Sequence, residues 1–329
     1  MKNKIIIATL AVLFAVFAPV IFTDRNEKAP VENHTDEASD RTEETEDILE
    51  ISVLMGDKSV KMDIEEYLVG VVAGEMPVSF EDEAIKAQAV AARTYTLYKL
   101  WVEQSANHDE TVCTDAACCK AYADEASLRE KWGDDYDGNI TKIRALVWST
   151  QGVYMVYENE PVLAVFHSSS SGKTENSGNV WNKDVPYLAS VESPESSENV
   201  KNYISVKEIE YDDFKMRFLK EYPEAEFSEN REEWITDIVY SDSGRINSVR
   251  IGGVTVRGTK LRALYELRST AVTVEAGEKS IKFTVTGYGH GVGMSQYGAN
   301  TMAQEGSTWQ EILKWYYTGI DFATLLGTI

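Results

Sequence analysis

Glu75 lies between Gly74 and Met76-Pro77, where a helical pattern stops against apolar residues. A carboxyl in that position is partly desolvated. Desolvation disfavours the charged form and raises the pKa toward the range a general acid needs. The alternative is a helix-end residue that only caps or solvates the terminus. Arg93 follows on the next helical stretch, where its guanidinium can hold an anionic or acetamido group or orient Glu75; a surface salt bridge is the alternative. A second cluster, His108, Cys113, Cys118 and Cys119, contains all 3 cysteines of the chain. Zinc in a structural site takes four nitrogen or sulfur ligands in a closed tetrahedron, and three thiolates with one imidazole fill it. One disulfide with a free thiol is the rival, weakened by the odd count and by the adjacency of Cys118 and Cys119. A catalytic zinc needs an open position, which four ligands do not leave.

Two further stretches offer polar groups to a ligand. His167-Ser-Ser-Ser-Ser-Gly-Lys-Thr-Glu-Asn-Ser177, followed by Val180-Trp181 and Pro186-Tyr187-Leu188, reads as a loop whose small residues can face a sugar. Ser170, Lys173 and Tyr187 are its candidate binding residues. Gly287-Tyr-Gly-His-Gly-Val-Gly-Met-Ser-Gln-Tyr-Gly298 forces a tight backbone path and offers His290, Ser295 and Gln296. Neither stretch is a nucleophile elbow, a dinucleotide fingerprint or a Walker loop.

The elements that must position these groups follow from periodicity. Ile51–Met62 reads as a hairpin turning at Gly56-Asp57. Asp63 and Glu66 have capping-box spacing ahead of a helix that should end near Gly74 because of Pro77. Ser79 is the expected N-cap of a second, alanine-rich helix. Lys142–Tyr157 reads as helix then strand with Gly152 between, and the apolar run Val162–Phe166 as a buried strand. Residues 195–280 read as an inserted subdomain, with one helix over Ile204–Tyr222, a turn at Asp242–Arg245, a strand over Ile251–Val256 and a short helix from Gly258. Two helices, Ala299–Glu305 and Trp309–Tyr317, close an α+β fold.

Ile5–Phe22 is uncharged and long enough, at about 1.5 Å per residue, to cross a bilayer core. Lys2 and Lys4 before it predict a cytoplasmic N-terminus. Pro19 disfavours cleavage after Ala18, so residues 1–22 are expected to remain as an anchor. Residues 23–50 are strongly acidic without an aromatic residue, a composition for a disordered tether. Residues 51–329 then form the extracytoplasmic catalytic domain. The net charge of −22 argues against nucleic acid as a partner, because phosphate binding needs basic patches.

Three motifs, Ala73-Gly-Glu-Met-Pro77 with Glu83–Tyr95, His167–Ser177 with Val180-Trp181, and Gly287–Gly298, resemble stage II sporulation protein D and the related amidase-enhancer domains, in the order that family uses. The resemblance covers the chain from about residue 50 onward. It implies a lytic transglycosylase of sporulating bacteria acting on peptidoglycan strands stripped of stem peptides, with an amidase and a membrane scaffold protein as partners. Glu75 would be its general acid and base. Members of that family can carry a metal in the cysteine-rich loop, typically with His then Cys where this chain has Cys118-Cys119. A glycan-binding module that stimulates an amidase is the alternative function.

Overall fold

The computed structural model describes residues 49–103, 111–115, 118–181 and 183–325. The expected anchor, the tether and His108 lie outside the described residues. Among the described residues no helix is long and apolar enough to cross a membrane. Thr45–Ile329 is one compact unit, with mixed helix and sheet around two apolar cores.

The unit begins with the expected hairpin, β1 (Glu50–Met55) and β2 (Lys58–Asp63), joined through Gly56 at φ 61°. Asp63 caps α1 (Ile64–Glu75) by accepting from the Glu65 N–H at 2.6 Å. The reciprocal half of the expected box is absent, because Glu66 accepts instead from Arg144 at 3.0 Å and Trp148 at 3.1 Å. Helix α2 (Asp82–Tyr98) starts three residues after Ser79, with Glu81 as N-cap. Ser79 is therefore not the cap: Phe80 donates to the Pro77 carbonyl, which holds Ser79 in the connecting turn. Ala84, Ala87, Ala89, Ala91 and Ala92 are all fully buried. Their short side chains let α2 run through the first core against α1, α4 (Tyr136–Trp148), α8 (Gln296–Gln304) and α9 (Trp309–Tyr316).

Strand β3 (Thr111–Cys113) lies parallel to β1 and opens the cysteine loop, and α3 (Glu125–Trp132) leads from that loop to α4. Strand β4 (Val153–Tyr157) pairs antiparallel with β5 (Glu160–Pro161) and with β14 (Asp321–Thr324). Val162, Ala164, Val165 and Phe166 of the apolar run are buried as expected and Leu163 partly so, but only β6 (Phe166–His167) is extended in a ladder, parallel to β13 (Met294–Ser295). Helix α5 (Ser177–Trp181) follows the serine loop.

The second core departs from expectation in two places. Ile204–Tyr222 is not one helix. It is β7 (Ile204–Glu210) followed by α6 (Tyr211–Glu221). Long-range pairing decides this, since β7 lies antiparallel to β12 (Ser280–Thr286), which also pairs with β11 (Val272–Ala276). Ile251–Val256 is not one strand either. Gly252 and Gly253 both take positive φ, 53° and 83°, and turn the chain between β9 (Ile246–Ile251) and β10 (Val254–Arg257). Strand β8 (Ile235–Tyr240) completes that sheet, and α7 (Gly258–Leu264) follows as read.

Candidate functional site

Glu75 is the last residue of α1, and Met76, fully buried, begins the extended exit. The carboxyl is half-buried, and that burial raises its pKa above the ordinary value. Three neighbours act the other way: the Lys120 ammonium, the Gln296 side-chain amide and the Ala121 backbone N–H all favour the charged form. Gln296 opens α8 and donates to the Glu75 carbonyl at 3.3 Å. The third motif thus reaches the first directly.

Lys120 was not legible as a site residue. Its ammonium lies 4.0 Å from the Tyr95 ring centroid and 3.8 Å from that of Phe166, between residues of α2 and β6. Burial lowers its pKa to about 8, against the opposing influence of Glu75. The same charge bears on His290, whose ring lies 5.3 Å from Trp181 and 5.6 Å from His167. Burial, then Lys120 and Arg262, push His290 down to about 3, so its imidazole is neutral across the physiological range. The His290 Nδ1 accepts from the Val292 N–H at 3.1 Å. Trp181 is 41% exposed and gives this end of the site an apolar face of the kind on which sugar rings stack. Glu75, Lys120, His290, Gln296 and Trp181 therefore form one continuous group.

Other expected residues lie behind that group. Ser170 is fully buried; its hydroxyl bonds the His167 Nε2 at 2.7 Å and its N–H donates to Glu195 at 2.5 Å. Ser295 is also buried, donates to Glu195 at 2.5 Å, and caps α8. The Ser193 hydroxyl donates to the same carboxylate at 2.5 Å. Glu195 thus binds the second and third motifs together, and nothing in its sequence surroundings announced it. Lys173 pairs with Glu192 at 3.2 Å. The Tyr187 hydroxyl accepts from the Leu163 N–H at 3.0 Å while its ring packs on Tyr157. Gly291, at φ 87°, brings its backbone against Arg245: a Cβ there would lie 2.6 Å from the Arg245 Nε.

Arg93 is placed elsewhere. It has no exposed surface, donates to the Glu65 carboxylate at 2.8 and 2.5 Å, and also donates to the Val153 carbonyl at 2.9 Å. Neither a surface salt bridge nor a ligand contact describes it. It is a buried ion pair that joins α2 to α1 and to the start of β4.

Cys113, Cys118 and Cys119 form no disulfide with one another, and their sulfurs all lie within 4.8 Å of one another, with Cys118 and Cys119 at 3.9 Å. A tetrahedral zinc with Zn–S near ~2.3 Å sets its sulfurs ~3.8 Å apart, so the donor set fits such an ion. Burial pushes the Cys119 thiol up to about 12.

The described residues thus form an α+β domain that brings parts of three separated motifs to one half-buried carboxyl. The family model for Stage II sporulation protein (SpoIID) matches residues 56–157. Stage II sporulation protein D of Bacillus subtilis (strain 168) is 37% identical over 263 residues, covering 79% of this chain and 74% of that protein. Its counterpart in Bacillus amyloliquefaciens is 36% identical over the same length and shares. An amidase enhancer of Bacillus subtilis is 28% identical over 302 residues, covering 77% of this chain and 39% of that protein. The chain belongs to the stage II sporulation protein D family, and its role is a sporulation role.

Proposed function

We propose that this chain is a lytic transglycosylase that cleaves peptidoglycan glycan strands stripped of stem peptides, with Glu75 as its general acid and base. The observation that carries the reading is the half-buried Glu75 carboxyl, whose pKa burial raises above the ordinary value and which the Ala121 N–H, Lys120 and Gln296 reach. Ordinary glycoside hydrolysis needs two carboxyl groups, one to activate water or attack the sugar. Intramolecular closure needs one. Protonated Glu75 gives its proton to the glycosidic oxygen as the C1–O bond breaks. The 6-hydroxyl of the muramic acid then bonds to C1, and its proton returns to the Glu75 carboxylate. Trp181 supplies a stacking face, and Gln296 fixes the helix end that carries the acid.

Cys113, Cys118 and Cys119, with His108, would hold a structural zinc. Bound there, it would order the loop that presents Lys120 and Ala121. Residues 1–22 would anchor the chain with the domain outside the cell membrane, beside an amidase and a membrane scaffold of the engulfment machinery. The similarity to a protein named amidase enhancer supports the amidase link. Mass analysis of stripped strands incubated with the full chain tests the activity: anhydro-muramyl ends are expected. Tight binding without new ends would assign the chain to the glycan-binding alternative.

A further inference from the structure

Among the described residues Lys120 has two aromatic faces and no ion-pair partner. Tyr95 and Phe166 flank its ammonium at 4.0 and 3.8 Å. Glu75 acts on it through space, and no ion pair joins Lys120 to a carboxylate among the described residues. Lys99, another ammonium in its electrostatic surroundings, is bound to Glu103 at 2.6 Å. A cation on ring faces keeps its other side for an oxygen acceptor, and its partial desolvation strengthens any charge it meets there. Its charge acts on both Glu75 and His290, and the His290 ring lies 5.3 Å from that of Trp181.

On the reading that Glu75 protonates a glycosidic oxygen of peptidoglycan, the sugar ring whose C1 faces Glu75 carries a lactyl ether on C3. The lactyl arm ends in a free carboxylate when the stem peptide is gone and in an uncharged amide when it is present. We propose that Lys120 receives this lactyl carboxylate and is the specificity-determining residue by which the site distinguishes stripped from peptide-bearing strands. The role that sequence reasoning gave Arg93, holding an anion of the substrate, passes to Lys120, because Arg93 is closed off by Glu65. An ammonium suits a single rotating carboxylate at the end of a flexible arm better than a rigid bidentate fork would.

The test measures binding rather than turnover. The full chain carrying Glu75→Gln is titrated, at slightly acid pH, with stripped strands and with the same strands whose lactyl carboxyls have been converted to methylamides. With Lys120 in place, the carboxylate strand should bind about tenfold more tightly than the amide. Lys120→Met keeps the length of the side chain and places a polarisable sulfur between the same rings. That variant should bind both strands equally, at the weaker level. Lys120→Arg, which keeps the charge, should restore a preference for the carboxylate. Binding of both strands without discrimination by the Lys120 protein overturns the proposal and leaves the glycan reading intact. Continued discrimination by a folded Lys120→Met variant overturns it equally. No binding of either strand overturns both.

Discussion

Replacing Arg93 by Met should destabilise the protein strongly without acting on its chemistry. The change removes two hydrogen bonds to the Glu65 carboxylate, at 2.8 and 2.5 Å, and one to the Val153 carbonyl at 2.9 Å. Glu65 is 2% exposed and keeps one neighbouring donor, the Gly152 N–H at 3.1 Å. A buried carboxylate stripped of its cation costs about 3–5 kcal/mol. At about 2–4 °C per kcal/mol for a domain of this size class, the melting temperature should fall by roughly 6–20 °C. Glu65→Gln added to Arg93→Met removes the stranded charge and should recover about 0.5–3 kcal/mol, a coupling that a double-mutant cycle by urea titration and thermal melting reads directly. Strand cleavage, assayed well below the lowered melting point, should persist. If Arg93→Met melts with the parent and yet abolishes cleavage, Arg93 acts on substrate and the argument from its burial is wrong.

Glu75→Gln preserves the shape of the side chain but not the transferable proton. It should fold, bind stripped strands and lose about 10² to 10⁴ in cleavage rate, measured as anhydro-muramyl ends formed. Glu75→Asp should be nearly as impaired because the carboxyl retracts by about 1 Å. The pH profile of the chemical step should be flat at acid pH and fall as the raised Glu75 pKa is passed; Lys120→Met, which removes the cation favouring the carboxylate, should move that fall to higher pH. A descending limb at the ordinary carboxyl value would contradict the burial of Glu75. The same raised pKa contributes stability in full below the unfolded value and loses it as pH rises through the folded one. Elemental analysis of protein prepared without chelator should find about one zinc per chain, and its removal should depress cleavage although Glu75 is not a ligand, because Lys120 and Ala121 directly follow Cys118-Cys119. A metal-free, disulfide-linked but fully active chain would refute that link.

What was legible in the sequence was local. The hairpin at Gly56, the end of α1 near Pro77 and the burial of an alanine-rich α2 each follow from a few neighbouring residues. The position of Glu75 at a helix end, half-buried ahead of Met76-Pro77, was legible for the same reason. What escaped depended on partners distant in the chain. Ile204–Glu210 became a strand because β12 lies alongside, some 70 residues on, and no helical period can report that. Arg93 was misplaced because its partner, Glu65, sits a full helix earlier in the chain. Lys120 could have been suspected as the base that follows two cysteines. Its ring partners could not, as Tyr95 and Phe166 meet only in the fold. Glu195 gives no local sign of binding serines from three segments.

The chain leaves the first core near Tyr203 and comes back at Gly287, and the Gly287 N–H donates to the Tyr203 carbonyl at 2.8 Å. The whole second core is therefore an excursion whose neck this bond closes. For such an excursion each doubling of length costs only about 0.6 kcal/mol in closure entropy. A graft of different length at this neck should therefore leave the first core standing. Orientation is far less free. Arg245 donates to the Lys173 carbonyl at 2.7 Å, Ser243 to Glu175 at 2.7 Å and Arg257 to the Asn179 carbonyl at 2.7 Å. These bonds fasten the excursion over the segment leading to Trp181. Natural variation or engineering can resize this part of the molecule at little cost, provided those three fasteners are carried along.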